Sequence, residues 1–320
     1  MIPQRAFLAG NRYGRGVPYH HRKFLALTLP LALPFALTAC GGASDASPAE
    51  RSSRTADAKA TGGSGAAGAV PGAKDSATPG GPAPTRSAGR STPTADRPLA
   101  GRTVVVDPGH NPGNFRHSTE INKKVDIGTK RKECDTTGTS TNAGYTEAAF
   151  TLDVSHRLRA LLEKQGAKVA LVHDADRPYG PCVDERARIG NDAKADAVVS
   201  VHADGSAAGN RGFHVILPAR VKDGAADTSA IMAPSRTLGE KLVTHFSRAT
   251  GNKPANYIGS GTGLDVRDDL GGLNLSTVPK VFLECGNMRD GKDAALLTDA
   301  SWRQKAAQGI ADGIGAYLKG

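Results

Sequence analysis

Three short apolar runs, each ending in a residue able to do chemistry, constrain this chain more than any other feature. Val104-Val105-Val106 leads through Asp107-Pro108-Gly109 to His110. Val198-Val199-Ser200-Val201 leads to His202, and Val281-Phe282-Leu283 ends at Glu284. Runs of this length, rich in β-branched residues, read as strands, and the segments between them carry a different period. From Glu147 to Gln165 the apolar positions Phe150, Leu152, Val154, Leu158, Leu161 and Leu162 fall near helical spacing, and Gly166 stops the pattern. The same reading predicts strands at 102–107, 168–172, 197–201, 212–217 and 280–284, with helices at 147–165, 184–193, 235–249 and 301–318. Strands alternating with helices predict a single three-layer α/β domain, its central sheet mostly parallel or mixed and flanked by helices. About 220 residues are enough for one well-buried core.

The remainder of the 320 residues has a different composition. Residues 1–39 begin with Arg5, Arg12, Arg15, Arg22 and Lys23 and no acid, then pass into an apolar stretch from Phe24 to Ala39 broken by Pro30 and Pro34. A basic start and an apolar stretch shorter than the roughly 20 residues of a membrane span predict an export signal. It ends Leu37-Thr38-Ala39-Cys40-Gly41, which resembles the bacterial lipobox. That resemblance implies lipidation of Cys40, whose two acyl chains would hold the chain at a membrane. Residues 40–97 are Gly, Ala, Ser, Thr and Pro with scattered charge, too poor in large aliphatic residues to offset ordering entropy, and predict a disordered tether of about 40 Å typical reach. The folded domain is then 98–320.

Charge follows this division. The chain carries a net +10, but residues 98–320 hold 29 basic and 26 acidic residues. The basic excess therefore belongs mainly to the targeting and tether segments, and no nucleic-acid partner is expected.

Two neutral imidazoles and one carboxylate are the ligand set of hydrolytic zinc sites, leaving the ion an open position. His110 and His202 repeat a strand-then-histidine pattern that a lone structural histidine would not. Glu147 by itself reads better as a first-turn acid favoured by the helix dipole. Glu284, at the end of an apolar run, is costly there unless paired or working.

From Thr103 onward the chain resembles the zinc-dependent N-acetylmuramoyl-L-alanine amidases, the type 3 amidase family of cell-wall hydrolases. The matching segments are Val106-Asp107-Pro108-Gly109-His110, the helix opening Glu147-Ala148-Ala149-Phe150-Thr151-Leu152, Arg186-Ala187-Arg188 to Asn191 leading into Ser200-Val201-His202-Ala203, and Val278-Pro279 before Leu283-Glu284-Cys285-Gly286. The resemblance implies one zinc ion per domain held by His110, Glu147 and His202, with Glu284 as the catalytic carboxylate. It implies hydrolysis of the bond between N-acetylmuramic acid and the first L-alanine of the peptidoglycan stem peptide. Two rivals stay open: a zinc peptidase acting on another wall bond, and a non-catalytic wall-binding lipoprotein. The expected location is the outer face of a bacterial membrane, facing the wall.

The segment between His110 and Glu147 is longer than the family usually has, and its acids Glu120, Glu133 and Asp135, with His117, compete for the third ligand position. It covers or lines the site, and a protein activator that moves it is a partner class left open. Arg186, Arg188 and Asn287 are candidate substrate-binding residues, although an ion pair accounts equally well for the arginines. His156, His173 and His245 are expected at packing or surface positions, and His214 is a weaker site candidate. Asp204 and Asn287-Met288-Arg289 depart from the family's usual residues. Cys134 and Cys182, both in turn-rich polar segments, are expected to pair as a disulfide in an exported protein, leaving Cys285 as a buried thiol.

Overall fold

The computed structural model describes residues 97–320. The signal segment, Cys40 and the tether expected over 1–96 lie outside the described residues.

Ten strands and seven helices follow in order: β1 (Thr103–Pro108), α1 (Ser118–Ile121), β2 (Lys124–Asp126), β3 (Arg131–Glu133), α2 (Glu147–Lys164), β4 (Lys168–Leu171), α3 (Val183–Asp192), β5 (Ala197–Asp204), β6 (His214–Pro218), β7 (Lys222–Asp223), β8 (Ala226–Asp227), α4 (Met232–Thr250), β9 (Leu264–Arg267), α5 (Gly271–Asn274), β10 (Lys280–Asn287), α6 (Gly291–Thr298) and α7 (Ala300–Lys319). Six strands form one mixed sheet in the order β4-β1-β5-β10-β6-β9. β4, β1, β5 and β10 run parallel; β6 pairs antiparallel to β10 and carries β9 parallel to itself. The three runs singled out by their chemistry are thus neighbours at the centre of the sheet, their C-terminal ends on one edge.

Alternation along the strands divides the molecule, since successive side chains point to opposite faces. Val104 and Val106 of β1, Val199 and Val201 of β5, and Leu283 of β10 pack with α2, α4 and α7 in the main core. Helix α2 meets them with Phe150, Val154, Leu158 and Leu162, spaced four apart and all fully buried. Helix α4 does the same with Leu238, Leu242 and Phe246. Burial of side chains this large contributes roughly 1.5–3 kcal/mol apiece, which is what holds the three helices to the sheet. The opposite face has a small apolar cluster of Val105, Val198, Val172 and Ala195 against α3. Beyond it α5 and the β2–β3 hairpin close the third layer.

All nine expected elements are present, with shifts mostly confined to their ends. Elements the sequence reading did not anticipate are short: the two hairpins, β9, and α1, α5 and α6. β9 extends the sheet beyond β6. Cys134 and Cys182 form a disulfide, joining the segment after β3 to the residue that caps α3. Cys285 is a buried free thiol in the main core, and burial pushes its ionisation well up.

Candidate metal centre

His110 lies two residues past the end of β1, in the left-handed region at φ 62°. Strain of that kind in a residue other than glycine persists only where its surroundings fix it. Here Arg186 donates through Nη2 to the His110 carbonyl at 2.9 Å. The ring is held from behind: Nδ1 lies 3.0 Å from the Thr136 carbonyl, which can only accept, so Nδ1 carries a proton and Nε2 is the nitrogen turned to the centre. Nε2 is 3.1 Å from Glu147 Oε2.

Glu147 is the first residue of α2, whose N-cap Thr146 accepts a hydrogen bond from the Ala149 amide. Its carboxylate is buried and bonded at both oxygens. Oε1 accepts from the Ala203 amide at 3.1 Å and lies 3.0 Å from His202 Nδ1; Oε2 accepts from the Thr139 amide at 2.9 Å. His202, near the end of β5, stacks on Phe282 with ring centroids 5.1 Å apart, and the two imidazoles meet edge to face at 5.0 Å. Close approach demands small neighbours. A Cβ on Gly109 would fall 2.4 Å from the His202 ring, and one on Gly138, at φ +74°, 2.7 Å from the His110 ring and 2.8 Å from Glu147 Oε2.

His110, Glu147 and His202 each offer one ligand atom, and these atoms lie within 4.8 Å of one another. Two imidazole nitrogens and one carboxylate oxygen suit a borderline-soft divalent ion such as zinc. Electrostatics point the same way. Burial alone would lower the His110 imidazole, yet Glu147 and Asp135 raise it to about 10, so the site favours positive charge at this point. The two histidines hold Glu147 well below the usual carboxylate range against its own burial.

Glu284 stands beside His202 in register on β10. It is part-buried in the wall of a cavity of about 350 Å³ that also includes His110, Glu147 and His202. Its Oε2 has no hydrogen-bond partner. Burial, then the negative charges of Glu147 and Asp204, push its ionisation well above the ordinary carboxylate value. A part-buried acid with one buried oxygen left unpaired next to a cluster that favours a cation is the arrangement expected of a working group.

The competing acids of the long segment lie elsewhere. Asp135 Oδ1 is 3.7 Å from His110 Nδ1, the nitrogen turned away from Glu147. Glu120 pairs with His117, and Glu133 with Lys124 across the hairpin. Of the other histidines, His173 lies 3.0 Å from the Pro108 carbonyl, His156 pairs with Asp174, and His214 is buried opposite Glu284 in the β6–β10 register with an unpartnered Nδ1.

The three substrate-binding candidates are each engaged within the protein, and Arg186 also borders a second cavity beside His110 and His202. Arg186 is buried and makes five hydrogen bonds, to Asp107, Asp135 and the carbonyls of Pro108, His110 and Pro181, matching the five donors a guanidinium has. It is a buried tie rather than a hand offered to a ligand. Asn287 is equally committed: it is fully buried, donates to the Ala207 and Asn210 carbonyls and accepts from the Ser206 amide. Arg188 is exposed and paired along its own helix with Asp192 and Glu185. None of the three lines the cavity around Glu284.

Sequence reasoning missed the network to which Arg186 belongs. Asp107, 1 % exposed, accepts from Arg186 at 2.7 Å, Ser200 at 2.6 Å and Lys280 at 3.0 Å, and Lys280 is itself 1 % exposed. The available signal was a charge within or heading an apolar run, as in Val106-Asp107 and Lys280-Val281.

The profile of the N-acetylmuramoyl-L-alanine amidase family matches residues 104–316. N-acetylmuramoyl-L-alanine amidase Rv3717 of Mycobacterium tuberculosis is 41 % identical over 221 residues, covering 69 % of this chain and 88 % of that protein. Among solved structures, the N-acetylmuramyl-L-alanine amidase Ami1 of Mycobacterium smegmatis matches with TM-score 0.63 and 39 % identity over 69 % of this chain and 98 % of its own. Apo Ami1 of Mycobacterium abscessus matches with TM-score 0.63 and 41 % identity, over 69 % of this chain and all of its own. With the family profile spanning well over half its length, this chain belongs to the N-acetylmuramoyl-L-alanine amidases, a family of cell-wall amide hydrolases.

Proposed function

We propose that the domain cuts the amide bond between the lactyl group of N-acetylmuramic acid and the L-alanine of the stem peptide. In this reading His110, Glu147 and His202 hold one zinc ion and Glu284 is the general base. A bound zinc ion supplies polarisation of the scissile carbonyl and a water whose pKa falls to about 7. The protein's own groups do the rest. Glu284 takes the proton of the attacking water and returns it to the departing amine, a role served by a carboxyl whose proton affinity burial has raised above the ordinary carboxylate value. Thr136 and Arg186 keep His110 in one tautomer and one backbone conformation. The Phe282 ring limits the freedom of His202.

The observation that carries this reading is the unpartnered Glu284 Oε2 in the same cavity as three metal-competent donors. The test has two parts. Metal analysis of the mature chain should find one zinc per molecule, lost in His202→Ala and kept in Glu284→Gln. Mass spectrometry of digested peptidoglycan should find stem peptides beginning with free L-alanine, with Glu284→Gln slower by about 10²–10⁴-fold. Glycan that retains L-alanine while another bond is cut would mean a wall peptidase instead.

The anchoring proposal is separate and rests on sequence. The lipobox-like Leu37–Gly41 segment supports lipidation of Cys40, with residues 41–97 as a leash that lets the hydrolase sample the wall. Membrane fractionation of the native chain against Cys40→Ala tests it: release of the variant is expected, and equal retention would remove the anchor.

A further inference from the structure

The metal centre stands where two cavities meet. His110, His202, Thr136, Leu270 and Phe282 border both. One cavity contains Glu284 and runs past Asp204, Ile216 and Arg267. The other, of about 220 Å³ and more enclosed, lies under the β2–β3 hairpin and against α5. A muramyl-peptide substrate has two unlike arms at the scissile bond. Glycan is a continuous polymer that must enter and leave, so it suits the more open arm. The stem peptide is a branch, and suits the enclosed one.

Charges within the enclosed arm are not evenly matched. Asp107 is met by Arg186 and Lys280, Asp135 by Arg186, and Glu133 by Lys124. Arg186 has no donor left over. Lys132, on β3, differs. Its ammonium donates to the Asp269 carbonyl at 3.0 Å and lies a loose 3.5 Å from Asp269 Oδ2. That carboxylate is already taken by Arg267, through Nε at 2.7 Å and Nη2 at 2.8 Å. Two cations thus share one anion, and an ammonium with three donors has used one well. The Lys132 side chain is 32 % exposed, so an incoming group can reach it.

We infer that Lys132 binds a carboxylate of the stem peptide and so sets which stems the enzyme prefers. The inference rests on the amidase reading for its substrate and names a recognition residue within it. A stem peptide has two kinds of carboxylate to offer, one on its second residue and one at its end, and amidating each in turn separates them.

Steady-state hydrolysis should be compared on three synthetic muramyl peptides: all carboxylates free, the second residue amidated, and the C-terminus amidated. Wild type should show a KM about tenfold lower for the free form than for one of the two amides, which identifies the carboxylate used. Lys132→Gln should raise KM on the free form about tenfold with little change in kcat and erase the preference, and Lys132→Arg should keep it. Calorimetric titration with the released stem peptide should show the same tenfold loss without turnover. Equal losses on all three substrates, or an unchanged preference in Lys132→Gln, would overturn the assignment. If wild type cleaves none of them, the amidase reading fails, and the titration of wild type against Lys132→Gln still decides whether the lysine binds the peptide.

Discussion

The two faces of the central sheet are made by the same strands and have opposite characters. One residue turns Val104 and Val106, Val199 and Val201, and Leu283 into a continuous apolar core under α2, α4 and α7. The next turns Asp107, Ser200 and Lys280 into a buried charge network, and His202 and Glu284 into the candidate site above it. The apolar face gains stability from non-directional burial, so it tolerates any good filling of its volume. The polar face is directional. Asp107, Arg186, Ser200 and Lys280 are held by one another, and their contribution is placement of His110 in particular.

That contrast can be broken most sharply at Arg186. Arg186→Met removes one of the two cations that meet Asp107 and the guanidinium that meets Asp135, and removing one partner of a buried pair costs about 3–5 kcal/mol. Denaturant titration should show that loss, and zinc affinity should fall with it, because the same guanidinium fixes the His110 backbone. Leu242→Ala on the other face should cost a comparable or smaller amount, about 2–5 kcal/mol. Here the folded fraction should bind zinc as wild type does. If both variants lose stability and metal in proportion, the two faces are not separable.

Acid sharpens the comparison without substitution. Burial would raise the Asp107 carboxyl, but Lys280 and Arg186 overcome it and hold the group far below its ordinary 3.8. A folded value below the unfolded one means the unfolded chain binds the proton more readily, so this stabilisation is present above about pH 4 and lost as pH falls through the folded value. Melting points measured from about pH 6 down to about 2 should fall, and Asp107→Asn, though less stable at pH 6, should fall less steeply. A parallel decline in the two proteins would refute the role. The smallest effect is expected at Arg188, whose exposed helix pairs are worth at most about 0.5 kcal/mol; Arg188→Ala should leave stability and turnover within error.

Much of this was legible in the chain because the apolar runs are short, strong and periodic. They placed the three central strands and the helices α2, α4 and α7 to within a few residues, and they ended on His110, His202 and Glu284. Glu147 needed the family resemblance, since a first-turn acid has a sufficient local explanation in the helix dipole. The hairpins and β9 escaped notice because three- and four-residue strands such as Arg131-Lys132-Glu133 carry no readable alternation. The arginines stayed open between ion pair and ligand contact for a different reason. Charge alone gives no direction, and only a buried position with five acceptors distinguishes Arg186 as a tie from Lys132 with donors to spare.

What the sequence determined by itself was the layered α/β architecture and three of the candidate reacting groups, His110, His202 and Glu284, because hydrophobic period and residue chemistry are local properties. Which acid faces Nε2 of His110 and which stands behind it, Glu147 or Asp135, was decided only by tertiary structure. So was the sharing of one carboxylate between Lys132 and Arg267, more than 130 residues apart. Both depend on angstrom-scale distances between segments remote in sequence, and those distances are fixed by packing of the whole domain rather than by any stretch of it.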